Sequence, residues 1–129
     1  MLRGVDFDGT LATYDGWMGA GNLGEPITVM VDRVKRWFAQ GDEIVIVTAR
    51  AHPGLGEDAQ VAITAIKNWC VEVFGCNIEV TCMKDYRMVE IWDDRSVRVE
   101  ENTGLVSNQA DVMGKDLIEN MDSIGKFLG

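Results

Sequence analysis

Short apolar runs rich in β-branched residues alternate with stretches in which apolar residues recur every three or four positions. Such runs predict strands, and the continuously apolar ones are typical of strands buried on both faces of a parallel sheet. The predicted strands are 2–7 (LRGVDF), 43–48 (EIVIVT), 77–82 (NIEVTC), 88–93 (MVEIWD) and, as the weakest, 96–101 (SVRVEE).

The stretches between the strands have the spacing of amphipathic helices. One helix is predicted from Ile27, with Pro26 near its first turn and Gly41 just past its end. A second is predicted over 57–75 and a third within 110–129, which we expect to pack back on the sheet. The helix faces assign three large side chains to the core: Trp37, Trp69 and Met121.

Strands that alternate with helices predict an α/β fold with a parallel sheet built from right-handed crossovers. In such folds ligands bind at the carboxyl ends of the strands. Polar residues follow four of the predicted strands, so we expect them to converge on one crevice: Asp6 and Asp8, Thr48 with Arg50, Lys84, and Asp93 with Asp94.

Length and composition narrow the class of protein. The 129 residues are expected to form one domain over 1–129, and the 47% apolar and 26% charged residues are typical of a globular protein. No segment has the pattern of a signal peptide or a membrane span, so a cytoplasmic protein is expected. The net charge of −9 argues against a membrane-binding face or a broad nucleic-acid surface, although a small local basic pocket stays open.

The segment 12–26 (ATYDGWMGAGNLGEP) is too rich in glycine for a regular element and long for a plain connection. A long ordered loop at the end of a strand is often functional. Tyr14 and Trp17 in this loop could stack on a substrate or anchor the loop to the core, and the sequence leaves both roles open.

The strand-end residues resemble the four motifs of the haloacid dehalogenase superfamily of phosphotransferases, in the order of that family. DFDGTL (6–11 with Asp6, Asp8 and Thr10) is similar to the first motif, Asp-x-Asp-x-Thr. VIVTA is similar to the second, an apolar strand ending in a hydroxyl residue, here Thr48. Lys84 fits the third motif, and IWDD, an apolar strand ending in two acids, fits the fourth. The resemblance implies a three-layer, Rossmann-like sandwich with strand order 5-4-1-2-3.

The chemistry of phosphomonoester cleavage assigns roles to these residues. Asp6 is the expected nucleophile, which forms an aspartyl-phosphate, and Asp8 is the expected general acid and base. Thr48 is expected to donate its hydroxyl to a phosphoryl oxygen, and Lys84 to offset the shared negative charge.

The resemblance also implies Mg²⁺ as cofactor, because this ion favours oxygen ligands that include carboxylates. The implied ligands are Asp6, Asp93 and the main-chain carbonyl of Asp8, while Asp94 either ligates through water or holds Lys84. Whether Asp93 or Asp94 is the direct ligand is open.

Other classes of protein fit less well or stay open. A response-regulator receiver domain is rejected because its acidic pair precedes the phosphorylated aspartate along the chain. A non-catalytic binding module on the same fold and a phosphomutase or other phosphotransferase remain alternatives, although both aspartates of the first motif are present.

The substrate is a phosphate ester of open identity. Neither interval between motifs has room for a cap domain, so the resemblance implies an open site that acts on a large substrate or is covered by a second copy of the chain. WDDR (92–95) resembles the phosphatase domain of phage polynucleotide kinase-phosphatases. A nucleotide, a polynucleotide end and another small phosphate ester therefore stay open. Three arginines near the expected rim are candidate substrate contacts: Arg50, Arg87 and Arg95.

Overall fold

The computed structural model describes residues 1–107, so the helix expected within 110–129, with Met121, lies outside the described residues. The described elements are β1 (Leu2–Val5), α1 (Thr28–Ala39), β2 (Glu43–Val47), α2 (Glu57–Phe74), β3 (Glu79–Thr81) and β4 (Met88–Trp92). No described helix is both long and apolar enough to cross a bilayer.

The four strands form one parallel sheet in the order β3-β2-β1-β4, which confirms the general α/β class. β1 lies between β2 and β4, and Val5 near its end is in register with both Ile46 and Trp92. The residues that follow β1 and β4 therefore leave the sheet side by side at the same edge.

The sheet does not have the five strands in the order 5-4-1-2-3 that we expected, because residues 96–101 do not join it. Asn102 and Gly104 both adopt positive φ and turn the chain, so that Val99 makes an isolated antiparallel bridge with Val106. The local pairing of 98–107 thus takes the place of a fifth parallel strand. This segment belongs to a compact unit that begins at Arg95, separate from the unit Met1–Asp94. The expectation of a single domain over 1–129 stays a prediction.

Both helices contribute to one apolar cluster on the sheet. Val34 of α1 and Ile66 of α2 are fully buried in it together with Val5 and Ile46. Aromatic rings connect its parts, with the ring of Phe7 edge-on to that of Trp69 at 4.9 Å between centroids. Trp37 is also buried, as expected. A three-layer sandwich needs helices on both faces of the sheet. The third predicted helix lies within 110–129, outside the described residues, so the three-layer arrangement stays a prediction.

The long loop between β1 and α1 is fastened at its base. Ala12 bridges Pro26 in an antiparallel pair, flanked by hydrogen bonds from the Thr13 N–H to the Glu25 carbonyl and from the Ile27 N–H to the Leu11 carbonyl. Leu11 and Ala12 are completely buried. The excursion of the loop is therefore confined to residues 14–24, and its base holds the turn that carries the first motif.

Candidate active site

Three carboxylates meet beyond the carboxyl ends of β1 and β4. Asp6 directly follows β1, Asp93 and Asp94 directly follow β4, and each offers an oxygen within 4.8 Å of the others. The main chain fixes this approach, since the Asp6 N–H donates to the Trp92 carbonyl at 2.8 Å. We refer to Asp6, Asp93 and Asp94 as the acidic cluster.

The crowding of the acidic cluster shifts the titration of Asp6. The pKa of Asp6 is raised from 3.8 to about 7, first by burial, then by a hydrogen bond with Asp94 and by the charge of Asp93. Within residues 1–107, no lysine or arginine forms an ion pair with Asp6 or Asp94. Three carboxylate oxygens within 4.8 Å of one another are a suitable donor set for Mg²⁺, so the residues present fit the expected ion.

Thr10 joins two members of the cluster, and sequence reasoning did not single it out as a site residue. Its hydroxyl oxygen lies 3.4 Å from Asp6 Oδ2 and 3.3 Å from Asp94 Oδ1, and it accepts the Asp94 N–H at 3.1 Å. The signal was present as the threonine of Asp-x-Asp-x-Thr. Thr10 therefore links the turn after β1 to the end of β4.

Glycine is required at position 9 because the turn after β1 closely approaches Asp94, just beyond the end of β4. Its φ of 79° lies in the left-handed region, and a Cβ at this position would stand 2.6 Å from Asp94 Oδ2. A side chain at residue 9 would therefore push Asp94 out of the cluster.

Asp8 does not face the acidic cluster with its side chain. Its carboxylate accepts two hydrogen bonds from Arg50, from Nε at 2.6 Å and from Nη2 at 3.0 Å. Arg50 is only 4% exposed and pairs with Asp8, and the substrate contact that we expected for it stays a prediction. The metal-binding role expected for the Asp8 main-chain carbonyl stays a prediction.

Arg50 also holds the long loop. Its Nη1 donates to the carbonyls of Gly19 and Ala20, both at 3.1 Å, and its guanidinium lies 4.8 Å from the ring centroid of Trp17. Trp17 itself is 51% exposed. One buried side chain thus fixes both Asp8 and residues 17–20 of the loop.

Thr48 is buried at the end of β2, and its hydroxyl oxygen accepts the Arg50 N–H at 3.2 Å. Within residues 1–107, no acceptor takes the proton of its own hydroxyl. Thr48 can therefore still donate to a bound group, as the sequence predicts.

The structure does not join Lys84 to the acidic cluster. Lys84 is exposed and makes no hydrogen bond or ion pair with a described residue, while Asp94, its expected partner, is bonded to Thr10. Arg87 pairs with Asp85 at 2.7 Å and lowers the pKa of that carboxyl to about 2 through hydrogen bonds. Arg95 and Tyr14 are exposed, and substrate roles for these residues stay predictions.

No family model, curated protein or solved structure matches the chain. The resemblance to the haloacid dehalogenase superfamily therefore rests on the four motifs alone.

Proposed function

We propose that the chain is a Mg²⁺-dependent phosphomonoester hydrolase of the haloacid dehalogenase type. The observation that carries the proposal is the acidic cluster, in which an aspartate from the Asp-x-Asp-x-Thr turn meets the acidic pair that follows β4. The crevice at the carboxyl edge of a parallel sheet is the usual place for a ligand in this fold class.

In the proposed reaction, a carboxylate oxygen of Asp6 attacks phosphorus and the bond from phosphorus to the leaving oxygen breaks. The leaving oxygen takes a proton from Asp8, and the product is an aspartyl-phosphate on Asp6. Water then attacks this phosphorus, Asp8 takes the proton of the water, and inorganic phosphate is released with Asp6 restored.

The remaining residues set up these two steps. Mg²⁺, when held by Asp6 and by Asp93 or Asp94, would offset the negative charge of the nucleophile and the phosphoryl group. Arg50 orients the Asp8 carboxylate through its two hydrogen bonds, and each Asp8 oxygen keeps a second lone pair for proton exchange with substrate or water. Thr48 donates its hydroxyl to a phosphoryl oxygen, and Lys84 adds charge from the loop after β3.

Trapping the intermediate tests the mechanism. Asp8→Asn keeps the nucleophile but removes the acid and base, a change worth about 10² to 10⁴ in rate. p-Nitrophenyl phosphate needs little protonation of its leaving group, so the first step proceeds and the aspartyl-phosphate accumulates. Mass spectrometry of the quenched variant with Mg²⁺ should find one phosphate, located on Asp6.

Asp15→Asn is the matched control, since Asp15 is an exposed acid of the same loop. It should turn over like the wild type and accumulate no phosphate. Phosphate on a residue other than Asp6, or full activity of Asp6→Asn, contradicts the mechanism. A wild-type protein inactive with Mg²⁺ on nucleotides, sugar phosphates and 3′- or 5′-phosphorylated oligonucleotides contradicts the function.

A further inference from the structure

A shallow cavity of about 270 Å³ adjoins the acidic cluster. This volume is close to the lower end of the range of small-molecule sites, about 300 Å³. The first turns of α1 form the opposite wall, which is mostly apolar and carries one positive charge. Residues that matter for what the cavity can bind are Thr10, Asp93 and Asp94 on the side of the cluster, and Met30, Arg33 and Trp92 on the other.

Arg33 is held in place without an anionic partner among residues 1–107. Its guanidinium lies over the ring of Trp92, 5.0 Å from the centroid, and its Nη1 donates to the Met30 sulfur at 3.3 Å. A thioether is a weak acceptor, and no described carboxylate forms an ion pair with Arg33. Stacking occupies the face of a guanidinium and leaves the N–H groups at its edge available for a planar anion.

Arg33 lines the same cavity as two members of the acidic cluster, Asp93 and Asp94. A substrate whose phosphoryl group lies at Asp6, as the proposed function requires, would meet Arg33 where its organic group extends into this cavity past Asp93 and Asp94. In a chain with a net charge of −9, a second anion on the substrate would be repelled unless a local cation met it.

We infer that Arg33 binds a second anionic group on the leaving-group part of the substrate, so that the preferred substrates are phosphomonoesters that also carry a carboxylate or another phosphate. This inference rests on the proposed function for the place of the phosphoryl group. It makes Arg33 a specificity-determining residue, with no part in bond cleavage.

Binding of phosphonates that cannot be hydrolysed tests the inference without any turnover. Phenylphosphonate is compared by calorimetry, in the presence of Mg²⁺, with the 2-, 3- and 4-carboxyphenylphosphonates and with the phenylene bisphosphonates. At least one probe with a second anion should bind the wild type about ten-fold more tightly than phenylphosphonate, the value of one charge-assisted pair. The carboxylate and bisphosphonate series show which anion is preferred.

Arg33→Gln should bring this ratio close to one and leave the affinity for phenylphosphonate unchanged, and Arg33→Lys should keep part of the preference. Arg36→Gln, which removes an exposed arginine from the same helix, should keep the full ratio. A purely structural role for the stack on Trp92 predicts a lower melting temperature in Arg33→Gln with the ratio intact, and that result overturns the inference.

Equal affinity of the wild type for all probes, or no binding of any probe at millimolar concentration, also overturns it. Failure of the proposed function is recognised separately. In that case the phosphate esters are not hydrolysed, whether or not the preference for a second anion is found.

Discussion

Arg50 donates hydrogen bonds to both carboxylate oxygens of Asp8, so that the residue just beyond β2 holds the second aspartate of the first motif. The pair is buried mainly on the arginine side, with 4% exposure for Arg50 and 20% for Asp8. A buried ion pair contributes less to folding stability than the attraction between its charges, because both groups lose their hydration. Removal of one partner is nevertheless strongly destabilising, because the other charge is left uncompensated. Arg50 is therefore expected to matter for stability as well as for Asp8.

Arg50→Met should lower the free energy of unfolding by roughly 3 kcal/mol, because it leaves the Asp8 charge and the carbonyls of Gly19 and Ala20 without their donor. Urea denaturation measures this change. Under the proposed function kcat should fall more than KM rises, since the variant disturbs the acid and base and leaves phosphate binding in place. Arg50→Lys should recover only part of both losses, because an ammonium group cannot bind a carboxylate through a planar fork.

Arg87→Met is the control for stability, since Arg87 pairs with Asp85 on the surface, where an ion pair contributes little to stability. A double-mutant cycle of Arg50→Met and Asp8→Asn isolates the pair, with an expected coupling between about 0.5 and 3 kcal/mol. Additive effects of the two substitutions would show that Arg50 acts through the loop carbonyls alone.

The raised pKa of Asp6 predicts how the metal-free protein responds to pH. The folded chain holds a proton at Asp6 up to about pH 7, whereas the carboxyl in the unfolded chain loses it near its ordinary value of 3.8. Stability from this source is complete below the lower value and is lost as pH rises through about 7. In EDTA the melting temperature should therefore fall between pH 3.8 and about pH 7 more steeply in the wild type than in Asp6→Asn, and level off above that range.

Mg²⁺ should raise the melting temperature chiefly at the upper end of that range, where it competes with fewer protons. Equal pH profiles for the wild type and Asp6→Asn in EDTA would show that Asp6 does not carry the titration.

The close approach of Gly9 to Asp94 gives a prediction with an internal control. Gly9→Ala places a residue with a Cβ at φ 79° and sets that Cβ against the Asp94 carboxylate, whereas Gly41→Ala has nearly the same strain, at φ 85°, with nothing within 4 Å. Gly41→Ala should cost about 1 kcal/mol of unfolding free energy, as a positive φ does. Gly9→Ala should cost more, and of the two only Gly9→Ala should weaken Mg²⁺ binding in a calorimetric titration.

A Gly9→Ala protein that binds Mg²⁺ as tightly as Gly41→Ala would favour Asp93 over Asp94 as the direct ligand beside Asp6. The two unfolding free energies, measured in EDTA, separate the strain from the clash with Asp94.

The sequence predicted the meeting of Asp6 with Asp93 and Asp94 because a parallel sheet brings the carboxyl ends of neighbouring strands to one edge. Only the position of each acid at the end of an apolar run was needed. The burial of Arg50 could not be predicted in the same way, since it depends on where the carbonyls of Gly19 and Ala20 come to lie. The path of a glycine-rich loop has no periodicity from which these positions follow.

The strand predicted over 96–101 was wrong because the alternation of apolar and charged residues was given too much weight. Val97 and Val99 alternate with charged residues as in a strand, but Asn102 and Gly104 provide a turn that pairs this segment with its own continuation. Turn residues with positive φ thus outweighed the alternation. Thr10 was overlooked for another reason, because a threonine in a tight turn has an ordinary structural explanation until Asp94 is found beside it.

Thr10→Val gives the most direct test of the link between the first motif and the end of β4. The substitution keeps the shape of the side chain but removes the hydroxyl that touches Asp6 and Asp94 and that accepts the Asp94 N–H. Loss of this acceptor should lower the unfolding free energy by about 1 to 2 kcal/mol. Loss of a residue that orients metal ligands typically weakens metal binding 10- to 100-fold, so Mg²⁺ affinity measured by calorimetry should fall by about that factor.

Thr10→Ser, which retains the hydroxyl, should stay close to the wild type in both measurements, and Thr64→Val on the exposed side of α2 should change neither. If Thr10→Val binds Mg²⁺ like the wild type while Asp94→Asn does not, Asp94 reaches the ion without help from Thr10, and the hydroxyl serves only to close the turn.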